Sequence, residues 1–344
     1  MTDRRLGDPS VPPPLVCVDA GTTNTRVWLV AGDKILARRE ATIGARDTAR
    51  DGHSRALRGT LRDLIGTVRA RTPLGTPAPL RVAAAGMITS PQGLCEVPHV
   101  AAPAGAAELA AAARETVLPD VTEVPILFVP GIRTGSLDGG EAGIGSVDVM
   151  RGEETLAVGL VQLGRVPASS LLLHVGSHWK VIRVDASGRV AGSVTSLAGE
   201  MLQAVTNQTI LASGLPSTSL VAPDEDLLRQ GMGEARRSGL ARALFCVRLL
   251  ELAGGSSPEG RLSFLVGAFI GAELAGLEAG GSLVPGMTVT IAGDDKVGGA
   301  WRLALARAGW TAHSLTPAER EAGFLAGLSA VVAARSGGPG PAPG

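Results

Sequence analysis

The stretch that decides the fold is Val16-Cys-Val-Asp-Ala-Gly-Thr-Thr-Asn-Thr-Arg-Val-Trp-Leu-Val30. Two apolar segments flank a tight polar turn, a pattern that predicts a β-hairpin. Asp19 comes at the end of the first strand, where Gly21 lets the backbone turn and expose its N–H groups. Because a carboxylate does not bind phosphate directly, its natural partner is a divalent cation, usually magnesium on a nucleotide. The stretch therefore predicts a phosphate-binding hairpin, with an ordinary hairpin and a polar turn as the plainer alternative.

Length and composition predict two domains with a sizeable core. The chain has 344 residues, of which 45% are hydrophobic, and chains of this length usually divide into domains. Lys+Arg and Asp+Glu both number 32, so the formal net charge is zero. A neutral chain lacks the long-range field that gathers nucleic acid or an anionic membrane. We therefore expect neither of these as a partner.

The three cysteines predict neither a disulfide framework nor a zinc site. Cys17, Cys95 and Cys246 are odd in number, far apart and without Cys-x-x-Cys spacing. Residues 1–13 lack the apolar region of a signal peptide, and polar or glycine residues interrupt each later apolar run before it reaches a bilayer's length. We expect a soluble cytoplasmic protein with disordered tails at 1–13 and 335–344.

Hydrophobic periodicity predicts two halves of similar topology. The first half is expected to fold as three strands followed by helix, strand, helix and strand. The second half begins in the same way, with a strand at 171–175, a polar turn at 176–178 and strands at 179–184 and 190–195. This repetition of topology without repetition of residues predicts a second phosphate hairpin.

Apolar residues at three- and four-residue spacing predict the helices. They are expected at 53–71, 104–116, 143–164, 197–211, 224–254, 258–277, 297–308 and 317–333. The helix at 143–164 would carry an acidic cluster formed by Asp148, Glu153 and Glu154. By helical spacing, Asp148 and Arg151 would share one face, and so would Arg151 and either Glu154 or Thr155.

Four motifs resemble those of the 2-dehydro-3-deoxygalactonokinases, a family of sugar-acid kinases in the actin, Hsp70 and hexokinase superfamily. They are Asp19-Ala-Gly-Thr-Thr-Asn-Thr-Arg26, Gly86-Met-Ile-Thr-Ser-Pro-Gln-Gly-Leu-Cys-Glu-Val-Pro98, Asp148-Val-Met-Arg-Gly-Glu-Glu-Thr155 and Gly176-Ser-His-Trp-Lys180. The third motif is the most specific, whereas Asp-x-Gly-Thr alone indicates only the superfamily. Gly199-Glu200 and Gly271-Ala-Glu-Leu-Ala-Gly276 add to the resemblance.

The resemblance implies an α/β fold of two actin-like, ribonuclease H-like domains, residues 14–166 and 167–334, that close on MgATP in an interdomain cleft. The first domain would hold the first phosphate hairpin and the sugar-acid site, and the second would hold the second hairpin and the adenosine site. The implied reaction is phosphorylation of a 2-keto-3-deoxy sugar acid, with 2-dehydro-3-deoxy-D-galactonate and its 6-phosphate as the expected substrate and product. ATP and Mg²⁺ are the implied cofactors, and a homodimer is one option for the oligomeric state.

The resemblance also assigns residues to the nucleotide. Asp19 would anchor the metal ion, and both hairpins would hold phosphate. The assigned nucleotide-binding residues are Asp19, Gly21, Thr22, Thr23, Gly176, Ser177, His178, Lys180, Gly271 and Gly293. Plainer explanations stay open, because threonine hydroxyls also satisfy turns, His178 is also explained as a turn histidine, and glycine also occurs where helices cross.

For the catalytic base the sequence leaves a choice between Glu153 and Asp148. In related sugar kinases the acidic base opens a helix shortly before the second phosphate hairpin, which favours Glu153. Arg151 would bind the substrate carboxylate or neutralise the transferring charge, unless these residues form an Arg/Glu network that ties the helix to its domain. The other residues assigned to the sugar acid are Asn24, Arg26, Met87, Ser90, Glu96 and Glu154.

Five positions depart from the family pattern. In the segment expected to contact the sugar acid, Pro91, Leu94 and His99 replace an arginine or polar residue, a tryptophan and a tyrosine. In the second hairpin, Val175 replaces a proline and Trp179 replaces a serine. Either Trp179 faces the core or the nucleotide geometry differs. These departures keep a second hypothesis open, an actin-like metabolite sensor or ATPase without phosphotransfer. A Rossmann dehydrogenase is disfavoured because no Gly-x-Gly-x-x-Gly follows the first strand.

Overall fold

A computed structural model describes residues 13–72, 80–136, 141–216, 222–283 and 285–337. The chain divides into two compact units. Unit 1 comprises the residues up to Leu163 and from Ala322 onward, and unit 2 runs from Gly164 to Glu321. Each unit has its own sheet and helices, so the predicted α/β class is confirmed.

The strands, in chain order, are β1 (Leu15–Ala20), β2 (Thr25–Ala31), β3 (Lys34–Ala41), β4 (Arg81–Gly86), β5 (Val100–Ala101), β6 (Arg114–Leu118), β7 (Thr122–Phe128), β8 (Ile132–Thr134), β9 (Asp148–Met150), β10 (Ser170–Val175), β11 (Trp179–Val184), β12 (Val190–Ser196), β13 (Val289–Gly293) and β14 (Ala312–Ser314). The α-helices are α1 (Ala45–Asp51), α2 (Arg55–Arg69), α3 (Ala106–Ala112), α4 (Glu153–Gln162), α5 (Ala198–Gln208), α6 (Glu225–Ser238), α7 (Leu240–Ala253), α8 (Pro258–Ala279), α9 (Asp295–Arg307) and α10 (Pro317–Ser336).

Unit 1 is built on a six-stranded sheet with the strand order β3-β2-β1-β4-β7-β6. Strands β1 to β3 form an antiparallel meander, and β4 and β7 extend the sheet parallel to β1. Helix α2 covers the sheet with a buried stripe of Leu57, Leu61, Ile65 and Val68, which confirms the predicted amphipathic helix. A second, three-stranded sheet in this unit has the order β5-β8-β9.

Unit 2 repeats the central topology of unit 1. Its sheet has the order β12-β11-β10-β13-β14, again an antiparallel meander extended by two strands parallel to the first. The predicted duplication of topology is thus confirmed. The short strand β14 was not predicted, because its three residues carry too little periodicity to be distinguished from a loop.

Helix α8 forms much of the core of unit 2. By length and apolar composition α8 would suffice to cross a membrane, although glycines and Glu273 interrupt its apolar run as predicted. However, 67% of its most apolar window is buried inside the protein. Small residues let it pack closely on α6, since a Cβ at Gly271 would lie 2.6 Å from Met232 Cα.

The segment 143–164, which contains the acidic cluster, does not form the single helix that was predicted. Instead of one helix over 143–164, the chain forms a 3₁₀ turn at Glu141–Ser146, the strand β9 and then α4. Gly152 has a φ of 104°, a left-handed value that interrupts a helix and favours glycine. Asp148 therefore lies on a strand opposite Thr134, and its predicted helical face shared with Arg151 is wrong.

Two other predicted helices also differ in their boundaries. The helix predicted at 104–116 ends at Ala112 and is followed by the unpredicted strand β6, which pairs with β7. The helix predicted at 224–254 is divided into α6 and α7 at Gly239, where φ is 83°. The predicted tails lie almost wholly outside the described residues.

Most of the last helix, α10, belongs to a different unit from the domain predicted for it. It was assigned with residues 167–334, but from Ala322 onward it groups with unit 1. The physical reason is close packing on α4. A Cβ at Gly323 would lie 2.6 Å from Leu160 Cδ2, and one at Gly327 would overlap the Thr155 carbonyl. Phe324 also packs on Trp28 of β2, with ring centroids 5.9 Å apart.

Candidate active site

The first hairpin places Asp19 beside Arg26. The two residues are directly paired across β1 and β2, and Arg26 Nη1 donates to Asp19 Oδ2 at 3.2 Å. The Asp19 side chain keeps 25% of its surface exposed. Burial raises the pKa of Asp19 to about 6, against the lowering effect of Arg26 and with a smaller raising effect from Glu153. Asp19 is thus a half-buried carboxylate at a strand end, next to a second acid.

The loop between β1 and β2 is fixed by the start of α1. Gly21 O and Thr22 O accept hydrogen bonds from Ala45 N at 3.1 Å and Arg46 N at 2.9 Å. A Cβ at Gly44 would lie 2.5 Å from Gly21 O, so only glycine fits there without a shift. The backbone N–H groups of Thr22 and Thr23 donate to no backbone acceptor among the described residues. They are therefore available to an anion.

Two glycines bring the start of α4 to the end of β1. A Cβ at Gly86, the last residue of β4, would lie 2.8 Å from Ala20 O and 3.4 Å from Asp19 Oδ1. A Cβ at Gly152 would lie 3.3 Å from Gly86 Cα. Because no side chains separate these backbones, Glu153 at the first position of α4 comes close enough for its charge to act on Asp19.

Glu154 is the most buried of the predicted acids, with no exposed surface. Its carboxylate accepts from Gly152 N at 2.9 and 2.8 Å and from Thr155 Oγ1 at 3.1 Å. Burial raises its pKa to about 7, and the Glu153 charge adds to that effect. Glu154 was predicted to bind substrate, whereas the structure places its oxygens on the start of its own helix.

Arg151 lies at the centre of a second polar cluster. Its Nη1 donates to Thr89 Oγ1 at 2.9 Å, and its Nη2 lies 3.4 Å from His99 Nδ1. Burial lowers the pKa of Arg151, whereas the charges of Glu154 and Glu96 favour its protonated form. The Arg151 guanidinium is therefore oriented by Thr89 and His99, and nearby acids balance its positive charge.

The remaining residues assigned to the sugar acid are Asn24, Met87, Ser90 and Glu96, and Asp148 is the alternative base. Asn24 is exposed in the first hairpin, where its amide donates to Thr23 Oγ1 at 3.2 Å. Ser90 is buried, and its hydroxyl donates to Met87 O at 2.7 Å, which closes the 3₁₀ turn after β4. Glu96 is exposed near Arg151. Asp148 contributes to none of the pKa shifts of Asp19, Arg151 or Glu154.

The second hairpin has the same support as the first. A Cβ at Gly199, near the start of α5, would overlap Gly176 O and lie 2.5 Å from Ser177 O, and Glu200 N donates to Ser177 O at 2.7 Å. His178 Nε2 lies 3.5 Å from Glu200 Oε1. Ser177 is exposed at the tip of the turn. The second hairpin is thus fixed by backbone contacts with the start of α5, as the first is fixed by the start of α1.

The side chain of Trp179 faces the core of unit 2. It is 3% exposed and packs edge-on against Trp301 and Phe269, with centroid distances of 5.3 and 6.5 Å. The core-facing alternative is therefore the observed one. Lys180 is only 4% exposed and pairs with His174 and Thr195 across the sheet, so little of its surface is open to a ligand.

A cavity of about 250 Å³ lies in unit 2 at the C-terminal ends of β13 and β14. Its lining includes Gly293, Asp294, Gly298, Ser314, Thr316 and Arg320. Gly293 is also paired with Val175, directly before the second hairpin, and its φ of 126° requires glycine. The second hairpin and the cavity are therefore neighbours, whereas Gly271 lies in the crossing of α8 with α6 and outside this lining.

The described residues contain no group of three or more His, Cys, Asp or Glu that could hold a metal ion on its own. Mg²⁺ on a nucleotide does not need such a group, because it keeps water and takes one or two carboxylates plus phosphate oxygens. Asp19, partly exposed at a strand end beside the free Thr22 and Thr23 amides, fits that description.

The sequence assigned no supporting role to the residues that hold the site in place. Gly44 fixes the first loop, and Thr89 and His99 hold Arg151. Thr89 is inside a quoted motif, and its position after the buried end of β4 could have marked it. Gly44 lies in no quoted motif, and a lone glycine between a strand and a helix carries no signal for a contact more than twenty residues earlier.

Comparison with known proteins gives a consistent assignment. A family model described as 2-keto-3-deoxy-galactonokinase matches residues 19–331. The probable 2-dehydro-3-deoxygalactonokinase of Rhizobium meliloti strain 1021 is 30% identical over 92% of this chain and 96% of that protein. The 2-dehydro-3-deoxygalactonokinase of Escherichia coli K12 is 29% identical over 76% of this chain and 80% of that protein.

A solved structure agrees with these sequences. The crystal structure of a candidate 2-dehydro-3-deoxygalactonokinase from Sinorhizobium meliloti superimposes with a TM-score of 0.74 at 30% identity, and covers 94% of this chain and 99% of that chain. The resemblance carried by the four motifs is thereby confirmed over nearly the whole chain. The chain belongs to the 2-keto-3-deoxy-galactonokinase family and is a sugar-acid kinase that uses ATP.

Proposed function

We propose that this kinase transfers the γ-phosphoryl group of ATP to the terminal hydroxyl of 2-dehydro-3-deoxy-D-galactonate and forms the 6-phosphate. The observation that carries the proposal is the convergence of Asp19, Glu153 and Arg151 at the ends of β1 and β4. Phosphoryl transfer needs a positioned hydroxyl, a base, and charge stabilisation of the transferring group more than it needs covalent chemistry. The relatives named above carry this enzyme name.

Glu153 is the proposed base. It opens α4 as the resemblance expects, and its charge reaches Asp19, so a hydroxyl between them would lie beside both the base and the metal-binding carboxylate. Glu153 would accept the hydroxyl proton as the oxygen attacks phosphorus. Asp148 is the weaker candidate, because it is paired with Thr134 on β9 and, unlike Glu153, does not contribute to the pKa shift of Asp19.

Asp19 is the proposed Mg²⁺ ligand. Bound there, Mg²⁺ would neutralise charge on the phosphate oxygens. Arg26 holds the Asp19 carboxylate in place, which makes Arg26 a positioning residue rather than the substrate ligand expected from the sequence. The Thr22 and Thr23 amides would donate to phosphate oxygens.

The adenosine is proposed to occupy the cavity beside Gly293. The cavity adjoins the second hairpin through the pairing of Val175 with Gly293. Arg320, anchored on Asp295 at 2.7 Å and Leu315 O at 2.9 Å, forms part of its wall. Lys180 and Gly271 are packed inside unit 2 and form no part of the proposed nucleotide site.

A coupled assay for ADP release tests the proposal. With MgATP, 2-dehydro-3-deoxy-D-galactonate should stimulate ADP formation well above the background of the protein alone, and epimeric 2-keto-3-deoxy acids should be poorer substrates. If the protein hydrolyses ATP but none of these sugar acids stimulates ADP formation, the proposed kinase reaction is wrong. The hypothesis of a metabolite sensor or ATPase then replaces it.

A further inference from the structure

The three-stranded sheet of unit 1 aligns three basic side chains on one face. Ile132 is paired with Val100 on one side and with Met150 on the other. The rung before it therefore holds His99, Gly131 and Arg151, and the rung after it holds Ala101, Arg133 and Val149. Alternate residues of a strand point to the same face of a sheet. The rungs of Gly131 and Arg133 consequently share a face.

Gly131 identifies which face this is. A Cβ at Gly131 would lie 2.8 Å from both Arg151 Cγ and His99 Cδ2, so the face carries these two side chains. Arg133 is two residues farther along β8, about 6.6 Å from Gly131. It stands opposite Val149 of β9, two residues before Arg151, whereas Glu153 comes two residues after Arg151, beyond the turn at Gly152.

The two arginines of this face differ in charge balance. Arg151 has the acids Glu154 and Glu96 nearby and hydrogen-bonds Thr89. Arg133 makes no side-chain hydrogen bond or ion pair with any described residue, and its Nε is buried without an acceptor. A buried donor without an acceptor is costly, more so when it is charged. Arg133 is therefore suited to an anionic ligand that the protein itself does not supply.

We propose that Arg133 binds the carboxylate of the sugar acid, an inference that rests on the proposed function. The carboxylate and the phosphate-accepting hydroxyl are at opposite ends of the carbon chain. Arg133 is paired with the residue two positions before Arg151, and Glu153 follows two positions after Arg151 in the chain. The planar guanidinium of Arg133 can pair with a carboxylate through two parallel hydrogen bonds. Arg151 and His99, in between, would contact the oxygens in the middle of the substrate.

The test compares three variants with the wild type. Arg133→Met keeps the length of the side chain without its charge, and Arg133→Lys keeps the charge without the planar fork. Arg55→Met removes an exposed arginine of α2 as a matched control. We expect Arg133→Met to raise the KM for the sugar acid about tenfold to a hundredfold, the range for a lost hydrogen bond to a charged group. The KM for ATP should stay within about twofold, Arg133→Lys should be intermediate and Arg55→Met should match the wild type.

A carboxamide analogue of the sugar acid separates the carboxylate from the other oxygens. The wild type should prefer the acid over the amide, and Arg133→Met should treat the two alike. An unchanged KM for the acid in Arg133→Met, or an equal loss for acid and amide, would overturn the assignment. The melting temperature of each variant should match that of the wild type, which excludes a folding defect.

Failure of the proposed function has a different signature. In that case the wild type itself would not turn over the sugar acid, whatever residue stands at 133. The subsite would then be tested by binding alone, because the sugar acid should raise the melting temperature of the wild type and not that of Arg133→Met. Equal shifts in both proteins, or none in either, would contradict the carboxylate subsite.

Discussion

At the scale of single residues, the environment of Asp19 has a direct consequence for metal binding. A protonated carboxyl cannot ligate Mg²⁺, and burial raises the pKa of Asp19 to about 6. Protons should therefore compete with the metal as the pH falls through about 6. We expect the apparent Mg²⁺ affinity, measured from turnover at varied Mg²⁺, to drop between pH 7 and pH 5 and excess Mg²⁺ to restore turnover.

Replacement of the same residue provides a second readout. Asp19→Asn should lower kcat by at least about a hundredfold, because the metal-binding oxygen is lost while the shape is kept. Asp33→Asn, in the exposed turn between β2 and β3, is the control and should retain full activity. Normal turnover in Asp19→Asn would exclude Asp19 as the metal ligand.

The choice of base is a prediction at the same scale. Glu153→Gln should reduce kcat about a hundredfold to ten-thousandfold, the contribution usual for a general base, and leave the KM for ATP close to that of the wild type. Asp148→Asn should retain most of its activity, because Asp148 lies on β9 and does not contribute to the pKa shift of Asp19. The reverse pattern in steady-state kinetics would identify Asp148 as the base.

Glu154 links the site to stability. Its pKa is about 7 in the folded protein and near 4.5 when unfolded, so the folded state binds more protons between these two values. The free energy of unfolding should therefore fall as the pH rises from about 4.5 to about 7, by up to about 3 kcal/mol. Glu154→Gln stays neutral at every pH. We expect urea titrations to show a smaller pH dependence in this variant, and an unchanged dependence would contradict the buried, protonated carboxyl.

At the scale of elements, the loop after β1 depends on a contact with the start of α1. Gly44→Ala would place a Cβ 2.5 Å from Gly21 O, and such overpacking typically costs about 1–3 kcal/mol. We expect a raised KM for ATP and a lower melting temperature. Gly59→Ala, inside α2 with no atom near the added methyl, should instead be neutral or stabilising by about 0.5–1 kcal/mol. Equal behaviour of the two variants would show that Gly44 does not fix the loop.

The elements also show how far sequence reasoning reached. The first hairpin, the second hairpin and α2 were predictable because their apolar period is regular and their turns contain glycine. The segment 143–164 was not, because apolar residues at Val149, Leu156 and Leu160 suit a helix, whereas pairing with β8 and the left-handed Gly152 decide the actual structure. Such pairing depends on residues distant in sequence, and no local pattern reports it.

The candidate site was predictable to a similar degree. The motifs pointed to Asp19, Arg151 and Glu153, which the structure brings to the ends of β1 and β4. They did not reveal that Arg26 is engaged by Asp19 or that Glu154 is fully buried. Both facts follow from strand register and helix geometry, which determine the partner of each side chain. The residue type alone does not indicate that partner.

At the scale of the whole molecule, the two units share the same arrangement of glycines around their hairpins, although their sequences differ. Each has a hairpin glycine, Gly21 or Gly176, whose carbonyl is covered by a glycine at the next helix start, Gly44 or Gly199. Each also has a glycine with positive φ where the fourth strand of the shared topology ends, at Gly86 and Gly293, close to the backbone of the first strand. In unit 1 the start of the acidic helix α4 packs against Gly86, whereas in unit 2 Gly293 lines a cavity.

The central claim is phosphoryl transfer to the sugar acid, and product analysis tests it most directly. Incubation with MgATP and 2-dehydro-3-deoxy-D-galactonate, followed by mass spectrometry and phosphorus NMR, should reveal one phosphate ester per ADP formed, located at the terminal carbon. Formation of ADP with free inorganic phosphate and unmodified sugar acid would contradict the account.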